Sequence, residues 1–150
     1  MANSRAARLA PVVDMAEKAE KTAVQRLGYF QGQVRLAESK LGDLERFRGE
    51  YQQQWIERGA KGVSGQWLMG YQGFLNQLET AVGQQRQSLA WHQNNLDKAR
   101  ESWQAARFAR VEGLRKLVQR YIDEARAIED KREQKLLDEL SQRMPRKDVY

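Results

Sequence analysis

Apolar residues recur along the first third of the chain at alternating three- and four-residue steps, the spacing of a coiled-coil seam. The members are Leu9, Val13, Ala16, Ala23, Leu27, Phe30, Val34, Ala37, Leu41, Leu44, Tyr51 and Trp55. Only Glu20 and Arg48 interrupt the series. Pro11 suits a first helical turn, and Asp14 follows it near the positive end of the helix dipole. Gly59 suits a helix end. The pattern therefore predicts a helix from about residue 11 to about 57.

A second series with the same alternation follows a glycine-containing segment. Its apolar members are Leu68, Tyr71, Leu75, Leu78, Val82, Leu89, Leu96, Ala99, Trp103 and Ala106, with Gln85 and His92 as polar members. After Trp103 the period slips by an eleven-residue step to Leu114, which relaxes the left-handed supercoil locally. The pattern predicts a second helix from about residue 67 to about 143.

Two seams joined by a short link are typical of an antiparallel pair of helices. We therefore predict an all-α fold: one coiled-coil domain over residues 1–150, a long two-helix antiparallel hairpin with a protruding C-terminal helix. The turn covers residues 58–66, where Gly59, Gly62 and Gly65 permit left-handed backbone and Ser64 can cap the second helix.

Two registers keep the seam layers matched: facing residue numbers add up to about 126 or to about 119. The first, which sets Ala37 against Leu89 and so small against large, is favoured. With the first helix starting near Pro11, the second helix would lose its cover near residue 113. The stripe beyond it would then need another partner, because a lone helix gains nothing from apolar residues in water.

The composition of the chain limits the classes of function that it can have. The chain has 31% charged residues, no cysteine and a net charge of +6 from 26 basic and 20 acidic residues. No apolar run is long enough for a signal peptide or a membrane span, so we expect a cytoplasmic protein. The segment GAKGVSG lacks the spacing of a phosphate-binding loop, and the single histidine, His92, occupies a seam position. We expect no catalytic activity, no metal and no cofactor.

With an enzyme disfavoured, two other classes of function remain. Arg115, Lys116, Arg120 and Arg126 form a loose basic row that suggests nucleic-acid binding, although acidic residues interrupt it and a groove-binding helix needs a denser run. The other class is a coiled-coil protein that binds proteins or serves as a passive spacer. Aromatic residues favour binding, because Phe47, Tyr51 and Phe74 meet near the turn in either register, together with Leu78, where a two-helix protein has little core to bury them.

The chain resembles the FliJ family, the small coiled-coil component of the bacterial flagellar type III export apparatus. Three stretches carry the resemblance: LERFRGEYQQQW before the turn, QWLMGYQGFLNQLETAV after it, and DKREQKLLDELSQR near the C-terminus. The spacing W-x-x-x-Y-x-x-F-L-x-x-L-E just after a glycine turn is its most specific part.

The resemblance implies a non-enzymatic stalk-like protein at the cytoplasmic side of the inner membrane. Its partners would be the hexameric export ATPase, whose assembly it promotes, the membrane export gate and export chaperones. The gate-binding surface of the family corresponds here to Leu44, Phe47, Tyr51, Phe74, Leu78 and Ala81, with Lys40 and Gln85 at its polar edge. The stalk analogy assigns ATPase-ring binding to Leu114, Leu117, Val118, Tyr121 and Ile128.

Overall fold

Two long helices make up the structure, a computed structural model that describes residues 4–144. Helix α1 runs over Arg5–Ala60 and helix α2 over Gly65–Arg143, and no strand occurs in this part of the chain. The two helices pack against each other in antiparallel directions, which confirms the predicted all-α hairpin. No helical segment among the described residues combines the length and the hydropathy needed to cross a bilayer.

Helix α1 begins earlier than the predicted start near residue 11. Ser4 caps it: its hydroxyl oxygen accepts a hydrogen bond from the Ala7 N–H, and its carbonyl accepts one from the Arg8 N–H, both at 3.0 Å. Pro11 therefore lies inside the helix and not in its first turn, and Asp14 lies beyond that turn. The Ser4 cap, the burial of Ala6 and Val13 and the Ala6 bond to Glu124 together offset the hydrogen bond that Pro11 removes.

Because α1 starts earlier than predicted, it also covers a longer part of α2. Ala6 and Val13 are buried, and the Ala6 N–H donates a 3.0 Å hydrogen bond to the Glu124 carboxylate. A Cβ placed on Gly113 would lie 3.5 Å from Val13 Cγ2, so the helices approach closely there. The prediction that α2 is uncovered beyond residue 113 is therefore wrong: the cover reaches Glu124, and every described residue from 125 to 144 is exposed.

Contacts divide the described residues into two units. The terminal unit comprises residues 4–21 and 105–144, and the turn unit comprises Thr22–Gln104. Buried side chains of the turn unit all belong to the predicted seams: Val34, Ala37, Tyr71, Leu78, Val82 and Ala99. The seam assignment is thereby confirmed, whereas a single domain over the whole chain stays a prediction.

Two of the polar residues in the seams find partners, whereas the buried Nδ1 of His92 has no hydrogen-bond partner among the described residues. Glu20, which interrupts the first seam, forms an ion pair with Arg110 inside the terminal unit, where both side chains are largely covered. In the turn unit, Gln85 Nε2 donates a 3.2 Å hydrogen bond to the Ala37 carbonyl oxygen. These contacts offset the cost of placing polar groups at seam positions.

Ring contacts near the turn decide between the two registers. Tyr71 stacks on Trp55 and on Tyr51, with ring centroids 4.5 Å and 4.8 Å apart. Trp55 faces Tyr71 when residue numbers add up to about 126. In the other register Tyr71 would face Arg48, about 10 Å from Trp55 along α1 at 1.5 Å per residue. The contacts favour the first register.

The turn is shorter than the predicted segment 58–66, because Gly59 lies inside α1 and α2 begins at Gly65. Among the described glycines only Gly62 has a positive φ, 83°, so it alone uses the left-handed backbone predicted for three glycines. Ser64 caps α2 as predicted: its hydroxyl oxygen accepts the Trp67 N–H and its carbonyl accepts the Leu68 N–H, both at 3.1 Å.

We expect Gly62→Ala to lower the free energy of unfolding by about 1 kcal/mol, because an L side chain at positive φ brings its Cβ against the carbonyl oxygen. Gly59→Ala is the matched control, since Gly59 is helical and a Cβ there meets nothing within 4 Å. That change should raise the free energy of unfolding by about 0.5 kcal/mol or more. Urea unfolding followed by circular dichroism measures both, and two shifts of the same sign would contradict the special role of Gly62.

Candidate interaction surfaces

Six aromatic rings form a continuous set of contacts beside the turn. This aromatic ladder consists of Phe47, Tyr51 and Trp55 from α1 and of Trp67, Tyr71 and Phe74 from α2. Helical spacing explains it, because residues three and four apart share a face and the turn brings the two faces together. The ladder is thus a product of both seams and of the turn between them.

The inner part of the ladder is stacked. Trp67 lies against Trp55 and Tyr71, with centroid separations of 5.4 Å and 5.6 Å and nearly parallel planes. Tyr71 is buried at 6% exposure, and this burial, followed by the influence of Tyr51 and Glu79, raises the pKa of its hydroxyl. Each ring pair of this kind adds about 0.5–1.5 kcal/mol beyond the area it buries. Tyr71 therefore acts as the anchor of the ladder.

The outer part of the ladder reaches the surface. Phe74 packs edge-on against Tyr51 at 4.6 Å and against Phe47 at 6.2 Å. Phe47 is 47% exposed and Phe74 is 37% exposed, while Tyr51 is half-buried between them. Two phenyl rings are thereby presented to solvent by a rigid support.

The predicted gate-binding residues divide into three groups. As predicted, the structure brings Phe47, Tyr51 and Phe74 together. Leu44 and Ala81 are half-buried, and Leu78 is buried at 6% exposure, so Leu78 does not line the surface. A partner can reach only the outer rings and the edges of the half-buried side chains.

Sequence reasoning missed the part that Trp55 and Trp67 play in the support. The heptad pattern predicts Trp55 in the seam but does not predict that Trp55 and Trp67 stack on Tyr71. The available signal was the four-residue spacing of Tyr51 and Trp55 and of Trp67 and Tyr71.

A second apolar surface belongs to the terminal unit. Of the predicted ATPase-ring residues, Leu114 and Leu117 are half-buried, whereas Val118, Tyr121 and Ile128 are 51–61% exposed. Further exposed apolar residues follow on the uncovered part of α2: Leu136, Leu137 and Leu140. The apolar stripe thus begins with Val118 and not with Leu114.

The basic row on α2 is partly neutralised. Arg115 Nη2 donates a 3.0 Å hydrogen bond to Glu112 Oε2. This bond is the main cause that lowers the pKa of Glu112 and raises the pKa of Arg115. Both groups face solvent, where such a pair contributes little stability.

Comparison with known proteins assigns the chain to a protein family. The family model described as "Flagellar FliJ protein" matches residues 4–148, nearly the whole chain. This chain belongs to the FliJ family. The resemblance carried by the aromatic-glycine stretch around the turn is thereby confirmed.

Two relatives within the FliJ family match over most of their length. The flagellar FliJ protein of Escherichia coli strain K12 is 30% identical over 135 residues, which cover 90% of this chain and 91% of that protein. The flagellar FliJ protein of Salmonella typhi is 29% identical over 130 residues, covering 87% and 88%. No solved structure matches significantly. Membership of the FliJ family implies a role in flagellar protein export and interaction with the export apparatus.

The two parts of the ladder should respond differently to truncation. We expect Tyr71→Ala to lower the free energy of unfolding by about 3 kcal/mol, because it leaves a cavity at a buried position. Phe47→Ala should lower the free energy of unfolding by less than about 1 kcal/mol, because the ring is partly exposed. Urea unfolding of both variants measures this. An equal loss for Phe47→Ala would make that ring part of the core and would remove it from the candidate surface.

Proposed function

We propose that this FliJ family member is a non-enzymatic, stalk-like adaptor on the cytoplasmic side of the flagellar base, peripherally associated with the inner membrane. It binds the membrane export gate through the outer aromatic ladder, promotes assembly of the hexameric export ATPase through α2, and escorts export chaperones. The observation that carries the proposal is the exposed pair Phe47 and Phe74 on a stacked, buried support.

The outer ladder suits a gate contact for physical reasons. Rigid aromatic rings cost little conformational entropy when they bind, and binding energy concentrates in a few such residues. Phe47 and Phe74 contact each other edge-on while Tyr51 holds Phe74 from the side. Leu44 and Ala81 can complete the rim of the contact, with Leu78 beneath it.

The ATPase contact is proposed for the apolar stripe of α2. Val118, Tyr121 and Ile128 are more than half exposed, and the helix beyond Glu124 has no cover among the described residues. Leu114 and Leu117 contribute only the edges that α1 leaves accessible. A helix with such a stripe fits an apolar groove of a partner.

Assembly of the ATPase ring then follows from mass action. A ligand that binds the assembled hexamer and not the separate subunits shifts the equilibrium by its differential affinity. The adaptor needs no chemistry of its own for this role.

Gate binding should depend on the outer rings. We expect Phe47→Ala and Phe74→Ala each to weaken binding of the purified gate domain at least about tenfold, as loss of a central aromatic contact costs roughly 2 kcal/mol. Phe108→Ala is the matched control, because Phe108 is a 69% exposed phenylalanine of the terminal unit. Calorimetric titration measures all three, and equal affinities for Phe47→Ala and Phe108→Ala would contradict the gate assignment.

ATPase stimulation should depend on the stripe of α2. We expect the triple variant Val118→Gln, Tyr121→Gln and Ile128→Gln to lose most stimulation of ATP hydrolysis by the cognate export ATPase, because glutamines cannot replace the apolar contact. All three positions are exposed, so the helices should persist.

The matched control is the triple variant Val24→Gln, Tyr29→Gln and Leu36→Gln, which removes similar side chains that are 48–61% exposed in the turn unit. Rates of phosphate release at equal concentrations compare the two. Stimulation retained by the α2 variant, or lost equally in the control, would contradict the assignment.

A further inference from the structure

A group of arginines that form no ion pair with any residue from 4 to 144 lies where α1 begins. Arg5, Arg8 and Arg120 line one concavity of about 540 Å³ together with Leu9. Arg5 and Arg120 also line an adjoining concavity of about 330 Å³ with Arg115, Lys116 and Gln119. We call the surface formed by Arg5, Arg8 and Arg120 the arginine groove; it lies entirely within the terminal unit.

The acidic residues near the groove are already engaged elsewhere. Glu124 accepts the Ala6 N–H, Asp123 accepts Gln119 Nε2 at 3.0 Å, and Glu112 pairs with Arg115. Among residues 4–144, none of the three groove arginines forms an ion pair. Three guanidinium groups therefore share one concavity without a direct ion pair, and the carboxylates of Asp123 and Glu124 lie at its border.

The groove favours an anionic ligand with several charged groups. Guanidinium groups bind carboxylates and phosphates in bidentate fashion, and the positive end of the α1 dipole adds to the same potential. Arg5 and Arg8 are exposed and Arg120 is half-buried, so the site is open and not an enclosed pocket for a small anion. An extended ligand that meets several arginines at once fits this arrangement.

We infer that the arginine groove binds an acidic peptide segment of a partner protein. Asp123 and Glu124 border the groove, and they would repel the unbroken negative charge of a nucleic-acid duplex or of an anionic bilayer. A peptide can place its carboxylates at the arginines and its backbone N–H groups at the two acidic side chains. The inference stands apart from the proposed function, since it uses none of the residues assigned to gate or ATPase binding.

The test uses a fluorescent peptide of alternating glutamate and serine and a control peptide of alternating glutamine and serine. Fluorescence anisotropy with the full chain should show binding of the acidic peptide that weakens with salt, and no binding of the neutral peptide. The triple variant Arg5→Gln, Arg8→Gln and Arg120→Gln should bind the acidic peptide with about tenfold lower affinity, as expected for the loss of several surface ion pairs. Circular dichroism checks that the variant stays helical.

The matched control is the triple variant Lys18→Gln, Arg35→Gln and Lys98→Gln, which removes the same charge from exposed positions outside the groove. It should change the affinity less than about twofold, allowing for the long-range effect of net charge. An equal loss in both variants, or no binding of the acidic peptide, overturns the inference. It is also overturned if a DNA duplex, vesicles of anionic phospholipid or free phosphate bind the groove more tightly than the peptide does.

Discussion

The narrow seam between two helices is the constraint on which the rest of this protein depends. Each helix can bury only one stripe, so the turn unit rests on a few seam residues, among them Val34, Ala37, Leu78 and Val82. Close packing of small and large side chains replaces the thick core of a globular domain. Two polar seam residues, Gln85 and Glu20, are tolerated because they find partners across the helix pair.

The same constraint explains why the aromatic surface exists. Near the turn the seam contains Tyr51, Trp55 and Tyr71, and of these three rings the seam buries Tyr71 and leaves the other two half-buried. The rings stack inward on Tyr71 and leave the outer phenyl rings exposed. In our proposal, stability and recognition therefore come from one set of contacts: the buried rings support the exposed rings, which lowers the entropy cost of binding a partner.

Charge plays a different role in each unit. The turn unit binds, in our proposal, through apolar rings, whereas the terminal unit combines an apolar stripe on α2 with an arginine groove at the start of α1. The groove arises because the local carboxylates bond to Ala6, Gln119 and Arg115 and leave Arg5, Arg8 and Arg120 without a direct ion pair. A protein with little interior can thus carry several recognition surfaces, since most of its side chains face solvent.

The amino-acid sequence by itself determined the helical class, both seams, the position of the turn and the FliJ family, because heptad spacing and the glycine-aromatic pattern are local signals. It also determined that Phe47, Tyr51 and Phe74 meet. The start of α1 was predicted too late, because a proline is typical of a first helical turn, whereas the burial of Ala6 is a tertiary contact. Only the tertiary structure decided the register, the burial of Leu78, the cover over Leu114 and Leu117, and the convergence of Arg5 and Arg8 with Arg120. These depend on which residues of one helix meet the other, from Tyr71 on Trp55 near the turn to Ala6 on Glu124 at the far end, and no periodicity within either helix specifies that.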